Sequence, residues 1–166
     1  MSWQHIRKIQ HLLLSGMAVS FGLLVVSPAM AVNENQVNAL IEALRLAAPP
    51  NSDNDGMYSQ WQILPGIIPN WTSQCTGTSL TPEQFEANPT VARSVVSCIV
   101  QRELVKQPQE EMTAVRNTAC WWMTGTIDGC TSGATAEYVQ RVMEFYQQQE
   151  KESQDNPYQY HNRHWL

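Results

Sequence analysis

The residues of this chain best equipped for chemistry are four cysteines, Cys75, Cys98, Cys120 and Cys130, set among carboxylates and tryptophans. Thiols spaced C-x-x-C would do redox work or hold a metal ion, and none of the four has that spacing. The tightest pair, in "CWWMTGTIDGC", has nine residues between its cysteines. An activated Ser or Thr needs a base, and the histidines are His5, His11, His161 and His164, all near the ends of the chain. G-x-S-x-G, H-E-x-x-H and C-x-x-C-H are all missing. "DNDG", residues 53–56, lacks the spaced ligands and final Glu of a calcium loop, and "HNRH" offers only two imidazoles. No metal and no cofactor is expected. Among the carboxylates, Glu83, Glu86, Glu110 and Glu111 stand at helix starts, where the helix dipole alone favours them. Asp128 sits in a Gly-bounded turn. A hydrolase working through carboxylates brought together from distant segments stays open as an alternative.

The elements that must position these residues begin after a leader. Arg7 and Lys8 precede the apolar run "LLLSGMAVSFGLLVV", residues 12–26, and Ala29 and Ala31 close an A-x-A pattern. Residues 1–31 therefore read as a secretory signal cleaved after Ala31, the run being short for a spanning anchor of about 20 residues. Removing 31 of 166 residues leaves 135, enough for one domain with a real core. Without Arg7 and Lys8 the ten basic residues become eight against fifteen acidic ones, a net charge of −7. Such a chain suits neither nucleic acid nor an anionic lipid surface.

Residues 33–48 place Val37, Leu40, Ile41 and Leu44 on one helical face, with Asn33 or Asn35 as cap and Pro49-Pro50 as stop. Thr81, Pro82 and Gln84 form a capping box with Pro at the first position, and Asn88-Pro89 restarts the helix. Val91, Val95, Cys98 and Ile99 then share a face. Met112, Val115, Ala119 and Trp122 form a stripe that Gly125 ends, and Tyr138, Val142 and Phe145 with Val139, Met143 and Tyr146 form a wide apolar face. Between the first two helical units, residues 49–80 hold Pro65, Gly66 and Pro69 with Trp61, Ile63, Leu64, Ile67, Ile68 and Trp71, which reads as one long ordered, aromatic-rich loop. The expectation is an all-α, disulfide-stapled domain of four or five helices over 32–146, followed by a polar flexible tail over 147–166.

An even cysteine count in an exported chain implies two disulfides. Neighbour pairing, nested pairing and interleaved pairing are all possible. Nested pairing would require one helix to slide against the next by about a turn, so Cys75–Cys98 with Cys120–Cys130 is preferred. Of the tryptophans, Trp122 continues the α-helical stripe and should enter the core. Trp121, pointing about 100° away, should lie at its border. It packs under the 57–72 segment or faces a partner, and Trp61, Trp71 and Trp121 are the candidate binding surface.

Residues 120–146, "CWWMTGTIDGCTSGATAEYVQRVMEFY", resemble small exported bacterial proteins that neutralise secreted amidase toxins. That resemblance implies an inhibitor or immunity role and assigns no residue a function. The leading expectation is an exported, non-catalytic binding or assembly protein. It would use a protein partner in a periplasm, a thylakoid-type lumen or the extracellular space, and no membrane span would remain after signal cleavage. The inhibitor and the small hydrolase are the alternatives.

Overall fold

The structure, a computed structural model, describes residues 32–50 and 56–155. The expected signal, residues 53–55 of "DNDG" and the end of the expected tail, including "HNRH", lie outside these residues.

Six helices account for the regular structure of the described residues: α1 (Glu34–Ala47), α2 (Ile68–Thr76), α3 (Pro82–Glu86), α4 (Pro89–Leu104), α5 (Glu111–Thr124) and α6 (Gly133–Asp155). No strand is present among them; a single antiparallel bridge joins Tyr58 to Ile63. The all-α expectation holds, with α3 and α4 as the restarted unit and α2 as an addition inside the expected loop. No helix among the described residues is long and apolar enough to cross a membrane.

Helix α1 is the centre of the molecule. Asn33 caps it by accepting from the Gln36 N–H at 2.7 Å. Val37, Leu40, Ile41 and Leu44 are buried as their spacing predicts, but so are Ala39, Ala43 and Ala47. A helix buried beyond one stripe must be covered on more than one side. The long α6 covers α1 most extensively, α4 packs on it as well, and α5 lies against α6.

The segment 56–67 is tied down by its own turn. Tyr58 and Ile63 exchange both backbone hydrogen bonds, at 2.9 and 2.8 Å, across a corner in which Ser59 and Gln62 adopt φ of 64° and 53°. The corner drives Trp61 inward until its indole Nε1 donates to the Ile41 carbonyl of α1 at 2.7 Å. Glu86 of α3 accepts from the Ser59 N–H on the outer side. Pro69 does not break the next helix. It occupies the first turn of α2, where its missing N–H has no intrahelical partner to lose. Gly77, at φ 76°, ends that helix in the left-handed conformation that favours glycine.

The expected caps form. Thr81 and Gln84 bond reciprocally at 3.0 and 3.3 Å, and Asn88 accepts from Val91 N–H at 3.1 Å. Two expectations about burial shift. On α5 the buried set is Ala114, Val115, Thr118, Ala119 and Cys120, so the inward face is turned from the expected stripe, and Met112 and Trp122 are only partly covered. On α6 the helix continues past 147, where the polar tail is expected to begin, as far as Asp155. Gln149 is buried within that extension, and an otherwise polar sequence holds its helix because one side still has α1 and α5 to pack on.

Candidate aromatic binding surface

Both disulfides follow neighbour pairing. Cys75–Cys98 joins α2 to α4, and Cys120–Cys130 joins α5 to the turn before α6. There are no free cysteines among the described residues. The two pairs are consistent with an oxidising location.

Each staple sits beside a tryptophan. Trp71 precedes Cys75 by one helical turn on α2, so the two share a face. Trp121 directly follows Cys120 on α5. The Trp71 ring stacks on Trp121 at a centroid distance of 6.3 Å with 18° between planes. It also meets Trp122 at 5.4 Å, tilted by 46°. Adjacent residues on a helix diverge by about 100°, so one ring touches both only by lying in the notch between them. Both separations fall within the preferred range for aromatic pairs, each contributing about 0.5–1.5 kcal/mol beyond its buried area. All three rings remain partly exposed. Next to them in the chain, Met123 and Ile127 are each 43% exposed, among the few large hydrophobic side chains left in water. The turn bearing Ile127 is shaped by Gly125, at φ 79°, and by Thr124, whose hydroxyl donates to the Cys120 carbonyl at 2.9 Å.

The structure thus brings Trp71 and Trp121 together and adds Trp122. Trp61 is placed elsewhere: it is 5% exposed and lines a different feature. That feature is a cleft of about 730 Å³ between α1 and α4, walled by Asn38, Glu42, Arg93, Ser94 and Gln101 and floored in part by Cys98. Its two carboxylates, Glu34 and Glu42, both come from α1, eight residues apart, or about 12 Å along the axis. Glu42 is engaged by the Arg45 guanidinium, with Nε at 3.0 and 3.1 Å from its two oxygens, and by Arg93 at 4.0 Å. The Arg45 guanidinium is correspondingly held above its ordinary pKa, chiefly by its hydrogen bond to Glu42 and against the opposing cost of burial. In this arrangement Glu42 ties α1 to α4.

The remaining carboxylates of chemical interest are likewise engaged. Glu110 caps α5, accepting from the Thr113 and Met112 N–H groups at 2.7 and 3.2 Å. These bonds, Thr113 first, hold its carboxyl below the usual range. Glu103, 5% exposed, accepts from Lys106 at 2.6 Å and from Gln107 at 3.2 Å. Glu111 accepts from the buried Tyr146 hydroxyl at 2.5 Å. Asp128 is exposed in its turn. No group of three or more His, Cys, Asp or Glu side chains among the described residues is placed to hold a metal ion.

Trp122 is the surface residue that the periodicity misassigns.

Comparison with family models, with curated proteins and with solved structures finds no match to this chain.

Proposed function

We propose that the protein is an exported, non-catalytic binding or assembly protein that engages a protein partner through the Trp71–Trp121–Trp122 surface. The observation carrying this reading is that three tryptophans, the residue type most favoured at binding hot spots, stay partly exposed while fixed between two disulfide-stapled helices. Rings that are already ordered lose little freedom when a partner covers them, and preorganisation of this kind adds affinity without adding contact area. Export supports the reading through the signal-like leader, which the two disulfides suit.

Its test is capture from the source cells with the mature chain as bait, after brief cross-linking across several growth conditions. A specific protein recovered with the wild type and lost with Trp121→Ala supports the reading. Recovery of the chain only as a free monomer argues against it.

A further inference from the structure

The two disulfides differ in a way that the binding surface makes consequential. Cys120 and Cys130 are 0% and 4% exposed. Cys75 and Cys98 are partly exposed, and Cys98 is among the residues that line the α1/α4 cleft of about 730 Å³. Asn38, Ser94, Ser97 and Gln101 line that cleft with side chains able to hydrogen-bond a peptide backbone. Thiol–disulfide exchange requires a thiolate to reach a disulfide sulfur, so access orders the reactivity of two disulfides in one fold.

We infer that Cys75–Cys98 is a thiol–disulfide exchange site for a dithiol protein entering the cleft, and that opening it releases α2 and dismantles the tryptophan surface. A thiolate of the dithiol attacks Cys98 Sγ, forming a mixed disulfide, and Cys75 leaves as a thiolate that takes a proton from water. The second thiolate of the dithiol then attacks its own partner sulfur in the mixed disulfide. Cys98 leaves, and the dithiol ends as a disulfide. Two electrons pass from the dithiol to the staple, and the reverse reaction closes it.

The mechanical consequence comes from the weak hold on α2. Its nine residues fully bury only Ile68 and Thr72, with Trp71 and Cys75 partly covered against the core, and a helix of that length has marginal stability alone. An exposed bond from Arg102 to Gln74 at 2.6 Å and one from Leu80 N–H to the Thr72 hydroxyl at 2.9 Å also tether it. Trp71 shares the stapled face, so freeing Cys75 frees the ring that fills the Trp121–Trp122 notch. This control of binding rests on the proposed role of that surface; the exchange chemistry does not.

The test uses purified oxidised protein and dithiothreitol, with free thiols trapped by N-ethylmaleimide, located by peptide mass mapping, and near-UV circular dichroism followed in parallel. Cys75 and Cys98 should label at least about tenfold faster than Cys120 and Cys130, as differential access requires, and the tryptophan signal should fall with the first opening. Simultaneous opening of both pairs, earlier opening of Cys120–Cys130, or an unchanged tryptophan signal overturns the inference. The Cys75→Ala/Cys98→Ala variant should remain helical, with the weakened tryptophan signal already present. A variant that fails to fold would mean that opening is global, and also overturns it. No partner enters these measurements, so failure of the capture experiment and failure of the switch are read separately.

Discussion

Thr118 shows how finely single atoms are balanced in this core. Its side chain is fully buried in α5, and its hydroxyl has no hydrogen-bond partner among the described residues. A buried polar group left unsatisfied costs about 1–3 kcal/mol. Thr118→Val keeps the shape and removes the hydroxyl, so it should stabilise the protein by about 1 kcal/mol in a urea titration. Trp61 is the opposite case. It is packed on α1 and donates to the Ile41 carbonyl, so Trp61→Ala should destabilise by about 3–5 kcal/mol. Trp121→Ala, at a partly exposed position, should cost much less and leave the helical circular dichroism intact. These two substitutions separate a tryptophan that builds the fold from one that faces outward. Their sequence contexts did not make that distinction: both stand in aromatic-rich segments, and only the turn at Tyr58–Ile63 decides that Trp61 points inward.

At the scale of elements, α5 and α6 carry carboxylates with opposed pH behaviour. Glu150 of α6 is pushed above the ordinary carboxylate value, first by burial and then by the charge of Glu111. A raised folded pKa means that its favourable contribution is complete below the unfolded value and is lost as pH rises through the folded value. Glu110, held low by its capping bonds, contributes above the unfolded value and loses that contribution as pH falls through its depressed one. In thermal melts across the acid range, Glu150→Gln should therefore gain on the wild type as pH rises above the carboxylate region. Glu110→Gln should lose most relative to the wild type on that same side, where the wild-type cap is charged.

Helix starts were legible because their signals are local. Asn33, Thr81 with Gln84, and Asn88 act within three residues of themselves. The illegible features depend on distant neighbours. Nothing local announces that Gln149 will be buried, or that α5 will turn its Ala114 and Thr118 side inward and leave Trp122 half covered. Helix α2 was hidden by Pro65, Gly66 and Pro69, because a proline in a first turn looks the same in sequence as one that breaks a helix.

Across the whole molecule, two disulfides close loops of 23 and 10 residues around a helical core. Each is expected to add about 2–4 kcal/mol by restricting the unfolded chain. Each bond anchors a helix that carries one of the stacked rings, Cys75 with Trp71 on α2 and Cys120 with Trp121 on α5. Neighbour pairing was legible as a preference, because nested pairing needed one helix to slide against the next by about a turn. The aromatic cluster was only half legible, since the grouping of Trp71 with Trp121 and Trp122 exists only once α2 and α5 are brought together in space.

The central claim is that this surface meets a protein, and it is tested most directly by placing a photo-crosslinking side chain at exposed Met123, beside the rings. The same chain is compared with and without Trp71→Ala in the source cells. The account predicts one discrete cross-linked species in the wild-type background that is reduced at least about tenfold in the variant, as expected for loss of a hot-spot residue worth about 2 kcal/mol. Equal cross-linking in both backgrounds, or none in either with the protein folded and disulfide-bonded, would contradict it.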